Sequence, residues 1–165
     1  MSTDAIVLLK EDHQEVRKQF RAFRKPGQTP VQKQGTVDTI LELLTVHTYI
    51  ATEVMYPRVR ELLPDLEDDV LESYEEHHVA DVLCVELASM DATDERFDAK
   101  TTVLIENVEH HMEEEEQDWF PKVREGLGRK QLQELGEELL EARKRAPRRP
   151  EQPSAMKKAI DAVVS

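Results

Sequence analysis

Apolar residues recur at intervals of three and four along the start of the chain: Ile6, Leu9, Val16, Phe20 and Phe23, with His13 inside the same stripe. Such spacing lines one face of an α-helix. Pro26-Gly27 and Pro30 end it, so a first helix is expected over residues 3–24. The same period returns in Val37, Ile40, Leu44, His47, Ala51 and Val54, predicting a second helix over 32–62 that Pro57 kinks near its end. After Leu63-Pro64, a third stripe of Val70, Tyr74, His77, Asp81, Cys84 and Ala88 predicts a helix over 66–90. A fourth, with Leu104, Val108, His111, Glu115 and Asp118, predicts one over 94–125, capped by Thr93 and stopped near Gly126-Leu127-Gly128. Four amphipathic helices on short connections can hide their stripes only against one another. The expected fold is all-α: an antiparallel up-down four-helix bundle over residues 3–127. Residues 128–146 add a helix on the outside, and 147–165 form a Pro-containing basic tail with room for a short helix.

Composition narrows the class. A chain of 165 residues is the size of one domain, and 5 Gly with 35% charged and 5% aromatic residues favours helices over a β-rich fold. The single cysteine, Cys84, excludes an internal disulfide and fits a reducing cytosol; on a helix stripe it reads as a small core residue rather than a reactive thiol. No apolar run approaches the ~20 residues that span a bilayer, and MSTDAIVLLKEDH has neither a basic n-region nor a cleavage site. A cytoplasmic protein without a membrane partner, a monomer or weak homodimer, is expected. The net charge of −13 argues against a nucleic-acid partner, and no base and nucleophile set for hydrolysis is visible.

The histidines carry the chemistry. All 6 lie at four places: His13, His47, the pair His77-His78 and the pair His110-His111. Each place falls near the midpoint of its helix, and midpoints of antiparallel helices share one level along a bundle axis. The four places therefore meet in one layer. A lone histidine on an apolar stripe is ordinarily a hydrogen-bonded core residue, but several converging imidazoles are costly to bury, and a metal satisfies them together. His78 and His110 sit about 100° round their helices from their neighbours, where they back the layer or face solvent. Imidazole with carboxylate suits iron, manganese or zinc, and the lack of clustered thiolates excludes an iron–sulfur site. Glu115 stands one turn beyond His111, so both can reach one ion. Asp81 bears the same relation to His77, and Asp118 lies one further turn along; each is a ligand, an acceptor behind a ligand, or a charge near the bundle's end.

Two stretches are near copies: HTYIATEVMYPRVRELL from His47 and HMEEEEQDWFPKVREGL from His111. Four residues after its His the later copy has Glu115, and the earlier has Ala51. KEDHQEV around His13 and YEEHHVA around His77 echo each other as well. A helical pair used twice places a metal pocket across a pseudo-two-fold axis, and two halves imply two metals.

Together these motifs resemble the hemerythrin-like, or HHE cation-binding, family of bacterial type. The carriers are DHQEV at His13, H-x9-P at His47 and His111 with an aromatic before each Pro, EEHH at His77, and H-x3-E at His111-Glu115. The resemblance covers residues 3–127. It implies a four-helix bundle holding two non-heme irons with an oxo or hydroxo bridge, with His13, His47, His77, His111 and Glu115 as ligands. The family usually has a bridging Glu four residues after the second-helix His, where this chain has Ala51; Glu53 points away from the stripe, towards solvent. Tyr74 holds the approximate place of a second third-helix His found in the family's oxygen carriers, where a phenol packs, donates a hydrogen bond to a bound oxygen species, or binds ferric iron. Fewer protein ligands leave more open positions, which suits reaction with dioxygen, peroxide or nitric oxide in stress response or sensing, with catalase-like peroxide disproportionation the activity to test. The missing carboxylate leaves two other readings open: one iron or zinc held without turnover, or a metal-free helical interaction module.

Overall fold

Helix α1 (Ala5–Phe23) begins where the Asp4 carboxylate accepts hydrogen bonds from the backbone N–H groups of Ile6 and Val7, at 2.9 and 3.1 Å. It buries the expected stripe of Ile6, Leu9, His13, Val16, Phe20 and Phe23, and Gln28 Nε2 then donates to the free carbonyls of Phe23 and Lys25. Helix α2 (Pro30–Ile50) opens with a capping box between Thr29 and Gln32, with Pro at its first position. Helix α4 (Glu67–Ala88) follows a short 3₁₀ turn at Pro64–Leu66 and sets Glu67, Asp68 and Asp69 in its first turn, where the helix dipole favours negative charge. The computed structural model describes residues 3–150, so the short helix expected in the tail beyond 150 lies outside the described residues. No helix among the described residues is long and apolar enough to cross a membrane.

The second and fourth rods of the bundle are not the uniform α-helices that periodicity predicts. Each contains one widened π-turn: Ala51–Met55 between α2 and α3 (Tyr56–Leu62), and Glu115–Trp119 between α5 (Phe97–Glu114) and α6 (Phe120–Gly126). The N–H of Tyr56 reaches back five residues to the Ala51 carbonyl, and that of Phe120 to Glu115. Both turns begin four residues after a repeated His and end just before an aromatic-Pro pair. Proline has no N–H to return to the preceding turn, and in each rod the wider turn stands immediately before the aromatic-Pro pair. The start of α5 also differs from expectation. Asp91 accepts from the backbone N–H and the hydroxyl of Thr93 at 2.7 and 2.6 Å, so Thr93 is spent in a turn, and the helix begins at Phe97 without a side-chain cap.

The core is two apolar clusters rather than one. One gathers Ile6, Leu9, Ile50, Met55, Trp119 and Phe120. The other gathers Phe20, Ile40, Leu44, Phe97, Leu104 and Met112. Along every rod the layer histidine falls at the changeover, as in Leu9, His13 and Val16 on α1 or Leu44, His47 and Ile50 on α2. Helix α7 (Arg129–Lys144) closes the first cluster from outside, burying Leu132, Leu135, Leu139 and Ala142 against α1, α2 and the first π-turn. Its approach is permitted by Gly136, where a Cβ would fall on the backbone carbonyl of Thr3.

Gly136→Ala should accordingly force α7 away from α1 and destabilise the fold by about 1–3 kcal/mol, read as a lower urea midpoint with an unchanged slope.

Candidate metal centre

The four rods bring His13, His47, His77 and His111 into one buried layer, with ring centroids 5.1 Å apart for His13 and His47, 6.0 Å for His47 and His77, and 4.6 Å for His77 and His111. Glu115 completes it from the second π-turn and is 3% exposed. These side chains form two donor sets, His13 with His47 and Glu115, and His77 with His111 and Glu115, each with its atoms within 4.8 Å of one another. One carboxylate is common to both. Glu115 Oε1 lies 2.9 Å from His111 Nε2 and 3.6 Å from His13 Nε2.

What stands behind the rings decides their orientation. His47 Nδ1 donates to Asp12 at 3.0 Å, His111 Nδ1 to Glu76 at 2.6 Å, and His13 Nδ1 to Glu116 at 3.3 Å. Each outer carboxylate fixes a tautomer that turns Nε2 inward and makes it a better donor. Two of these carboxylates are themselves held by guanidinium groups: Arg17 grips Glu116 at 2.9 and 2.5 Å, and Arg143 from α7 reaches both oxygens of Asp12 at 2.9 and 3.0 Å. His77 Nδ1 has no hydrogen-bond partner.

The residues fit a metal. His13 Nε2 is buried without a hydrogen-bond partner, Glu115 Oε1 is buried against His111 Nε2 at 2.9 Å, and His77 Nε2 faces His111 Nε2 at 2.8 Å. Burial opposes charge on His111, yet Glu115 and Glu76 raise its pKa to about 10. Burial would push the Glu115 carboxyl up, but His111 and His13 hold it well below the usual range, while burial and the neighbouring His111 keep His77 neutral. Protons thus occupy the positions that a cation would take, and loading a metal would release them. The space enclosed among the imidazoles is about 20 Å³, room for one water-sized species.

A further group reaches this centre that the periodicity hid. Tyr56, fully buried, sets its hydroxyl 3.0 Å from His77 Nε2 and 3.4 Å from His111 Nε2, and donates to Glu115 Oε2 at 3.3 Å. In an unbroken α-helix the nine residues from His47 to Tyr56 turn through about 900°, placing the two on opposite faces. The extra residue of the π-turn takes back about 100° and swings Tyr56 inward. The repeat did hold a signal: the copy that lacks the carboxylate, at Ala51, has a hydroxyl on its aromatic, Tyr56, whereas the copy with Glu115 has Phe120.

Other candidates fall outside both donor sets. Asp118 is exposed and pairs with Lys122 at 3.2 Å, because the π-turn that begins at Glu115 rotates it off the stripe. Asp81 fails for reasons of direction: α4 runs opposite to α5, so the residue one turn past His77 lies on the Cys84 side of the layer, while Glu115 lies on the Trp119 side. Burial alone pushes the Asp81 carboxyl up to about 7. Tyr74 is half-buried and packs edge-on against Tyr56 at 5.3 Å instead of facing the centre. His78 is half-buried, His110 is exposed and pairs with Glu114 at 3.1 Å, and Glu53 is exposed. The Cys84 thiol is buried, and burial raises its pKa.

Comparison with known proteins bears on the same residues. The sequence profile described as Hemerythrin HHE cation binding domain matches residues 4–123, a span that holds all five side chains of the two donor sets. The fold is similar to that of a hemerythrin HHE cation binding domain-containing protein from Mycobacterium kansasii, with 20% identity, a TM-score of 0.71 and 86% of each chain covered. Comparison with curated proteins gives no match.

Asp81 supplies a test of the electrostatics. Its folded pKa lies above its unfolded one, so the stability linked to its proton is complete below pH ~4 and is lost as pH rises towards 7. Asp81→Asn should remove roughly 2–4 kcal/mol of that decline, seen as a flatter unfolding free energy between pH 4 and 8 than in the parent protein.

Proposed function

The chain belongs to the hemerythrin HHE cation-binding family, and from that premise we propose that it holds two non-heme irons, one at His13 and His47 and one at His77 and His111, with Glu115 between them. The observation that carries this reading is the sharing of one buried carboxylate, Glu115, by two histidine pairs. Iron held there would supply open coordination positions and a change of oxidation state to a small oxidant such as dioxygen, peroxide or nitric oxide. The protein's own part is to bind and to select. The space enclosed among the four imidazoles is small, about 20 Å³, which favours a ligand of very few atoms there. Tyr56 offers a hydroxyl, kept protonated by burial and by the Glu115 charge, as a hydrogen-bond donor or as a ligand in place of the carboxylate that Ala51 lacks. Five protein ligands for two metals leave positions open, which favours turnover over reversible carriage. Peroxide disproportionation, with one peroxide oxidised to dioxygen and another reduced to water, is the reaction we assign, as part of a response to oxidative stress in the cytoplasm.

Metal content per chain, measured by mass spectrometry on protein from iron-supplemented cells, tests the centre. About two irons are expected. His111→Ala should lose most of them because it removes one of the two donors specific to its set, whereas His78→Ala should keep them; equal content in the two variants would refute the assignment. Tyr56→Phe should keep the fold, alter the visible spectrum of the iron-loaded protein and slow peroxide turnover by roughly 10- to 100-fold. Adding Ala51→Glu to that variant should recover part of the loss if the hydroxyl stands in for the carboxylate. A Tyr56→Phe protein with unchanged spectrum and turnover would remove Tyr56 from the centre.

A further inference from the structure

The oxidisable aromatic side chains all lie on one side of the histidine layer. The chain has 3 tyrosines and 1 tryptophan, and Tyr49, Tyr56, Tyr74 and Trp119 all belong to, or pack against, the apolar cluster on the Glu115 side. The opposite cluster has only phenylalanine among its aromatics: Phe20, Phe23 and Phe97. A phenol or an indole can give up one electron to a strong oxidant, whereas a phenyl ring resists it. The side that carries the shared carboxylate is thus the side on which an electron can travel.

His77, Tyr56 and Tyr74 form a continuous path of rings from the layer to the surface. Tyr56 sets its hydroxyl 3.0 Å from His77 Nε2, with ring centroids 5.3 Å apart. The Tyr74 ring packs edge-on against that of Tyr56, also at 5.3 Å, and Tyr74 is half-buried. The charges acting on its phenol are those of Arg60 and Glu53, both exposed side chains, so its hydroxyl stands at the boundary with water. Trp119 also touches Tyr56, at 5.5 Å, but it is buried and its indole N–H has no partner, which makes it a branch of the path rather than its outer end. Among the described residues Tyr49 packs against the cluster without a ring contact to Tyr56.

We propose that Tyr74 is the residue at which electrons enter the protein: it passes them through the Tyr56 ring to the histidine layer and is replenished at the surface by a small one-electron donor such as ascorbate or a phenol. The inference rests on the reading of the layer as an iron centre that reduces peroxide, and gives that centre a second source of electrons. Reducing one hydrogen peroxide to two waters takes two electrons and two protons, which in disproportionation come from a second peroxide. On the route through Tyr74, the side chain sends one electron inward and releases its phenol proton to water, leaving a tyrosyl radical. The donor then returns one electron and one proton to the phenol oxygen. Two such rounds balance one peroxide, with two donor molecules each oxidised by one electron and the protons consumed at the peroxide drawn from water.

The experiment mixes iron-loaded protein with hydrogen peroxide, freezes it within milliseconds and records the electron paramagnetic resonance spectrum; a second mix adds ascorbate before freezing. The parent should give a tyrosyl signal, identified by its narrowing when the tyrosine rings are deuterated, and ascorbate should remove it. Tyr74→Phe keeps the ring and its packing and deletes only the hydroxyl, so a merely structural role for Tyr74 leaves the signal unmoved. In that variant the signal should be lost, or should stay on buried Tyr56 and be removed about 10-fold more slowly, with iron content unchanged. Tyr49→Phe should behave as the parent. Equal removal rates in parent and Tyr74→Phe, or equal slowing in Tyr49→Phe, would overturn the entry site. An iron-loaded parent without a tyrosyl signal would also overturn it and leave the centre standing. Parent protein that retains no iron would overturn both readings.

Discussion

Burying four imidazoles and a carboxylate between two apolar clusters obliges the bundle to answer for every one of their polar atoms. An unpaired polar group in such a place costs about 1–3 kcal/mol, more when it is charged. The structure answers from behind: Asp12, Glu76 and Glu116 take the outer nitrogens of three rings, and the inner nitrogens are left to one another, to Glu115 and to Tyr56. Two ring nitrogens stay without a partner, His77 Nδ1 and His13 Nε2, and the second of these lies with Glu115 where a cation would join the two histidine pairs. Fold and function are therefore not separable here, because the layer that makes chemistry available also interrupts the core that holds the helices together.

The outer carboxylates are not equivalent, and the difference reaches across the fold. Arg143 belongs to α7, outside the span matched by the family, yet through Asp12 it fixes the orientation of His47. The added helix thus does more than cover the apolar end of the bundle. Among the described residues Glu76 has no such guanidinium, and it shares its surroundings with Glu72 and Glu114. The His13 and His47 pair is consequently backed by two carboxylate–guanidinium pairs, whereas in the other pair Glu76 backs His111 alone and His77 Nδ1 has no partner. Imidazoles backed by uncompensated carboxylate are the stronger donors, so the two halves of the repeat have diverged in electrostatics while keeping their shared geometry.

The π-turns explain how one half can lack a bridging residue and still close the centre. At Glu115 the turn starts on the carboxylate itself; at Ala51 the same turn starts on a residue with nothing to offer and delivers Tyr56 instead. A phenol is longer than a carboxylate and neutral when buried, so the exchange lowers the negative charge of the layer while keeping an oxygen beside His77 and His111.

How much of this was legible along the chain follows from the range over which each rule acts. Periods of three and four were enough for the all-α bundle and for its rods, since amphipathic stripes of that spacing leave no other burial. The placement of one histidine at the middle of each rod was enough for the layer, and the i,i+4 step was enough for His111 with Glu115. Ideal 100° steps failed wherever the backbone left the ideal: they missed Tyr56 and kept Asp118, because a π-turn is a local rearrangement that hydrophobic period does not encode. They also kept Asp81, because a stripe says which face a residue is on and not on which side of the layer it lies; that is set by the direction in which each helix crosses its neighbours. The outer carboxylates and Arg143 depend on contacts between residues 35 to 131 positions apart, and only packing in three dimensions determines those.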